Sequence, residues 1–171
     1  YNNNQLVINN DIYVTHSNLI DFSLTNDPSC YYYINSNNNI FFKNNSTQIA
    51  FDFSEKAIKI ESYNYSVLNK FIVLTNNNKL YYYDNSSFNL ITIDGTIIDC
   101  ATGETHTIVL TTTGVWSFGS DLNNQTYKKG YQTTYIDESL IQITRVNKIV
   151  LLDGIKIVKV KAYGNSSAVI D

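Results

Sequence analysis

His106 has the widest chemical scope in the chain, because Asp99, Cys100, Glu104 and Thr105 stand within a few positions of its imidazole. An imidazole with a carboxylate to orient it and a hydroxyl or thiol to activate is the composition of an acid–base or nucleophilic site. The surroundings argue for the plainer role. Cys100 lies in a strand-length apolar run where a thiol is inaccessible, no acid–base pair has a convincing spacing, and His16 is the one other histidine. We therefore expect a non-enzymatic protein and assign no catalytic residue. Cys30 and Cys100 with two distant histidines do not make a metal site, and two buried thiols are favoured over a disulfide because nothing resembles a secreted cysteine framework. Seven scattered glycines form no phosphate loop, so no cofactor is expected.

Aromatic and basic groups offer binding chemistry instead. Tyr31–Tyr33 and Tyr81–Tyr83 resemble stacking platforms for bases or sugars, but alternate residues of a strand face opposite ways. Core packing is the favoured role for both triplets. Lys148, Lys156, Lys159 and Lys161 give the last quarter a basic bias that reads as a solvated sheet face. The polar excursion from Ser120 to Ser139 is the better candidate for an interface, with Tyr127, Tyr131 and Tyr135 as anchors beside Lys128 and Lys129.

The elements that must position these groups are strands. With 171 residues and 43% hydrophobic content the chain can bury a core, and β-branched and aromatic residues dominate with no sustained 3.6-residue period. A net charge of −3 provides no basic stripe and argues against direct nucleic-acid contact. No 18-residue apolar run indicates a membrane span. The 24 asparagines, 14 tyrosines and single arginine, Arg145, fit an AT-rich coding genome, and six Asn-x-Ser/Thr sequons are near what chance yields in so Asn-rich a chain. A chain that starts at Tyr1 and has no Met is expected to be a processed product or part of a longer protein; its compartment stays open, with a lean toward the intracellular.

The strongest local grammar runs from Ile97 to Gln125. Two apolar runs, Thr107–Leu110 and Val115–Phe118, flank a Thr-Thr-Thr-Gly turn, and Gly-x-x-His leads into the first, which predicts a β-hairpin with an ordered corner. Earlier segments repeat the order of strand, polar turn and aromatic strand: Cys30–Ile34 with Ile40–Phe42, then Phe71–Leu74 with Leu80–Tyr83. Strands are also expected at Gln5–Ile8, Asp11–Val14, Ile20–Leu24, Ala57–Ile60, Leu90–Ile93, Leu140–Val146 and Ile149–Leu152. Leu74 follows Ile34 by 40 positions and Leu110 follows Leu74 by 36, whereas the last unit comes about 60 later because of the polar excursion. Repeats of this length with four short strands are the signature of β-propeller blades. We expect one all-β partial propeller over 1–171, in approximate units 1–56, 57–96, 97–156 and 157–171.

Gly103-Glu-Thr-His106-Thr, Leu110-Thr, Gly114 and Val115-Trp116-Ser-Phe118-Gly119 together resemble the repeat of the regulator of chromosome condensation (RCC1) family over about 30 residues. The resemblance implies a seven-bladed propeller, of which four partial units are roughly half, and a packing role for Gly103, His106, Leu110, Gly114, Trp116, Phe118 and Gly119. His106 is expected to bridge blades through its two ring nitrogens, and Trp116 and Phe118 to share a packing face. It also implies a protein-interaction module whose ends are covered by further blades or a partner. Two alternatives are a guanine nucleotide exchange factor for a small GTPase and a carbohydrate-binding β domain.

Overall fold

The computed structural model of the chain describes residues 5–8, 11–15, 19–25, 27, 29–44, 46–63, 70–119 and 146–171. The chain divides into two compact units, one reaching Ile91 and one beginning at Thr92, with Tyr63 belonging to the second.

In the first unit, β1 (Gln5–Ile8) and β2 (Asp11–Thr15) form an antiparallel pair of their own. Strands β3 (Leu19–Leu24), β4 (Tyr31–Asn35), β5 (Ile40–Lys43) and β6 (Gln48–Phe51) form an antiparallel sheet in chain order. A second such sheet holds β7 (Ala57–Ser62), β8 (Lys70–Thr75), β9 (Leu80–Asp84) and β10 (Phe88–Ile91). Asparagine makes the tight turns of both. Asn38 and Asn78 sit at φ of 63° and 58° between β4 and β5 and between β8 and β9. A short polar side chain tolerates this left-handed conformation better than any other non-glycine type. The Asn38 amide also donates to the Ala57 carbonyl, tying the first turn to the start of β7.

The core of this unit lies between the two sheets. Tyr32, Ile34, Ile40 and Phe42 meet Ala57, Ile60, Phe71 and Val73, each buried. The opposite face of β4 buries Tyr31 and Tyr33 against Leu19, Phe22 and Phe41, so the first tyrosine triplet is core on both faces. Full burial of such side chains contributes about 1.5–3 kcal/mol each.

In the second unit, β11 (Ile97–Thr102), β12 (His106–Thr111), β13 (Gly114–Gly119) and β14 (Asn147–Lys148) form the third four-stranded sheet. β15 (Lys159–Tyr163) and β16 (Ser166–Ile170) make a two-stranded one. Ala101, Ile108, Leu110, Val115 and Val160 pack between them. The fold is all-β, in antiparallel four-stranded sheets of propeller-blade type, and among the described residues no helix is long and apolar enough to cross a membrane.

Two strand expectations change. β6 was not among the expected strands; it is four residues long, and three of them are exposed. Conversely, Ile149–Leu152 is not a strand: Val150–Leu152 forms a 3-10 turn and β14 is reduced to two residues. The apolar run there caps the core, with Ile149 and Leu152 packed on it, and caps need no ladder. The strand expected at Leu140–Val146 begins outside the described residues.

Candidate functional site

Three features of the strands carry chemistry or recognition. The first recurs in the opening strand of each four-stranded sheet. β3, β7 and β11 each skip one residue in the register, between Leu19 and Asp21, Ala57 and Lys59, and Ile97 and Asp99. The skipped residue of such a bulge has no opposite partner and its side chain turns out of the ladder. It is an exposed isoleucine in every case, Ile20 at 42%, Ile58 at 39% and Ile98 at 55%; Val158, which directly precedes β15, is exposed at 53% without a skip in register. The residues that follow are Asp21, Lys59, Asp99 and Lys159, so the charge alternates in sign from unit to unit. The aspartates reach the next sheet: Asp21 accepts from the Ile60 backbone amide at 2.8 Å and Asp99 from that of Val160 at 3.4 Å.

The second feature is the Gly-x-x-His corner between β11 and β12. His106 is completely buried, and its Nε2 is 2.7 Å from the Ser167 hydroxyl on β16, so the imidazole bridges two sheets. The Gly103 amide donates to the His106 carbonyl and the Glu104 amide to the Gly164 carbonyl. Gly103 is needed for close approach: a Cβ there would stand 2.2 Å from the His106 ring and 2.5 Å from the Gly164 carbonyl oxygen. Gly119 needs both space and a φ of 102°, and its close neighbour is the Thr105–His106 backbone of its own sheet. Leu110 and Phe118 are buried, Trp116 is half-buried with its indole N–H donating to Thr111, and Gly114 opens β13. Cys100 is buried and, like Cys30, a free thiol; burial pushes the Cys30 thiol up. Ser29 hydrogen bonds hold the Asp27 carboxyl low. Among the described residues no three His, Cys, Asp or Glu side chains are grouped to hold a metal ion.

The third feature is a cavity of about 550 Å³ in the first unit, between the end of β6 and strands β9 and β10. Five half-buried rings run along it in unbroken contact. Phe51 meets Tyr83 at 5.0 Å and 75°, Tyr83 meets Phe88 at 4.8 Å, Phe88 meets Phe53 at 4.4 Å, and Phe53 meets Tyr81 at 5.2 Å and 79°. Behind Tyr81, one oxygen of Glu55 accepts from both the Tyr81 phenol and the Lys79 ammonium, at 2.5 and 2.6 Å. These bonds hold the Glu55 carboxyl below its usual range and push the other two groups up. The sequence did not single out Phe51, Phe53 or Phe88. Alternation in Tyr81–Tyr83 was readable, but only the structure puts the outer two tyrosines on a cavity and Tyr82 in the core.

The loop anchors Tyr127, Tyr131 and Tyr135 with Lys128 and Lys129 lie outside the described residues, as does His16.

The sequence matches no protein-family model and no curated protein. The fold is similar to that of human WBSCR16, at a TM-score of 0.58 and 10% identity, over 92% of this chain and 48% of that one. It is also similar to a chain in the crystal structure of Kap60 bound to yeast RCC1 (Prp20), at 0.57 and 14% identity over 83% and 39%. A third is PorZ, a surface component of the type-IX secretion system of Porphyromonas gingivalis, at 0.53 and 11% identity over 93% and 19%. These likenesses define the class as propeller-like, and the chain spans less than half the length of each neighbour.

Proposed function

We propose that this chain is a non-enzymatic protein-interaction module built on RCC1-like propeller repeats and is part of a larger protein or assembly. The observation that carries the reading is the recurrence of an exposed isoleucine, Ile20, Ile58 and Ile98, at the bulge in the first strand of three successive four-stranded sheets. Burial of a core does not require it, since the bulges at Ile20, Ile58 and Ile98 leave these residues out of the ladder, and we read an apolar side chain exposed at a repeated position as available to a partner. The buried corner supports the RCC1-like assignment, because Gly103 and His106 act there in packing. A fold shared with a chain from the complex of Kap60 and RCC1 is compatible with partner binding.

The test is purification of the native protein from its own cells, with the solution mass measured beside the polypeptide mass. A stoichiometric protein partner, or further repeats in the same polypeptide that close the propeller, is the expected result. A monomer of this chain alone that binds nothing would overturn it. A nucleotide-release assay with small GTPases separates the exchange-factor alternative, and glycan mass shifts with a glycan-binding screen separate the carbohydrate-binding one.

A further inference from the structure

We propose that the aromatic cavity between β6, β9 and β10 receives an alkylammonium side chain, a lysine of a partner polypeptide, most tightly in its methylated form. The inference rests on the protein-interaction reading and names the chemistry of one contact. Aromatic faces are electron-rich and attract a cation placed over them. The five rings meet in tilted and near-perpendicular pairs and do not form one flat shelf. Rings inclined to one another line the cavity from several directions and suit a rounded ammonium head, whereas a planar guanidinium or a sugar ring is served by a flat platform.

The charges around the cavity agree. Asp52 contributes an exposed carboxylate to the lining, while no Lys, Arg or His does, so an anionic ligand finds no counter-charge. Lys79, which directly precedes β9, is committed to Glu55 at 2.6 Å. The other Glu55 oxygen is buried and has no hydrogen-bond partner among the described residues, but Lys79 compensates this carboxylate, so the charge that faces a ligand is that of Asp52. The Tyr81 phenol donates to the same carboxylate, and this makes its ring a richer cation acceptor. A volume of about 550 Å³ takes the ammonium head with its four-carbon stem and lies within the usual range for ligand sites.

The probe is Nα-acetyl-trimethyllysine amide, titrated onto the full chain by NMR beside its neutral carbon isostere, in which the quaternary nitrogen is replaced by carbon. Binding of the cation about tenfold tighter than the isostere is expected, with shifts confined to Tyr81, Tyr83 and Phe88 and their neighbours. Asp52→Asn, a surface change that leaves packing alone, should weaken the cation about fivefold and the isostere not at all. Tyr81→Phe keeps the ring but releases Glu55, and should also weaken the cation selectively. Equal affinity for cation and isostere, an unchanged Kd in Asp52→Asn, preferential binding of N-acetylglucosamine or an arginine amide, or no binding at all would each overturn the proposal. A native protein partner whose binding ignores both variants would sink this inference and leave the interaction reading standing. Cation binding by a chain that holds no protein would sink that reading, and the assignment to a partner's lysine with it.

Discussion

His106 at the start of β12 and Ser167 on β16, 61 residues apart, join two sheets of the second unit at 2.7 Å through Nε2 and the hydroxyl oxygen. The connection before β12 spans Gly103 to His106 and the one before β16 only Gly164 and Asn165, and the Glu104 amide to the Gly164 carbonyl is a second tie between them. A buried polar group costs stability unless it is paired, so the buried imidazole depends on the exposed Ser167 hydroxyl.

A double-mutant cycle measures that dependence. His106→Ala is expected to cost about 2–4 kcal/mol in urea unfolding, from a lost buried ring, and Ser167→Ala about 1–2 kcal/mol, from a buried ring nitrogen that loses its acceptor or donor. Their combined effect should fall short of the sum by about 0.5 kcal/mol or more. Strict additivity would show that the two side chains do not support each other.

Gly103→Ala should destabilise the fold by about 1–3 kcal/mol or prevent folding, since the added methyl meets backbone at Gly164 as well as the His106 ring. Gly154→Asn is the contrasting case. Gly154 has a φ of 82° but nothing within 4 Å of a Cβ, and asparagine tolerates that backbone, so a loss below about 1 kcal/mol is expected. Similar melting temperatures for the two variants would contradict the close-approach account.

The carboxylates that reach from one sheet to the next predict an order. Asp21→Ala removes an acceptor 2.8 Å from the Ile60 amide, and Asp99→Ala one 3.4 Å from the Val160 amide. Both strand a backbone donor, at about 1–3 kcal/mol, and the shorter bond should be the costlier loss. Denaturant midpoints check the order, and the asparagine variants, which keep an acceptor, should recover part of it.

Stability should fall in strong alkali. Burial pushes the Tyr31 and Tyr82 phenols up to about 12, and the Asp84 charge adds to the effect at Tyr82. Unfolded tyrosine loses its proton near its ordinary value of 10.0, so above that pH the unfolded chain releases protons that the fold retains. The stabilisation is complete below pH 10 and is lost as pH rises toward 12, by up to about 1.4 kcal/mol per pH unit for each phenol. Phenolate absorbance followed with unfolding should show a late, cooperative class of tyrosines. Smooth titration of all 14 at an ordinary value would disprove it.

Most strands and their order were legible from sequence alone. Runs such as Phe71–Leu74 and Ile108–Leu110 are too apolar and β-branched for anything but buried strands, and the Asn-rich and Gly turns between them recur at a steady interval. The Gly-x-x-His corner was legible as well, because a glycine at a set distance from a histidine is a local signal. Local signals are what a sequence holds by itself, since propensity and alternation act between near neighbours along the chain.

Tertiary structure decided what depends on distant partners. Ser167 became the partner of His106 only by sheet-to-sheet packing across 61 positions. Ile20, Ile58 and Ile98 look like core in an apolar run, and only the bulge, a property of two paired strands, turns them outward. Phe51 and Phe53 follow a weak strand, and they gain meaning as a cavity wall only once Tyr81, Tyr83 and Phe88 are brought against them from another sheet. Hydrophobicity along a chain records that a side chain avoids water, but which neighbours or open spaces it meets is set by non-local contacts.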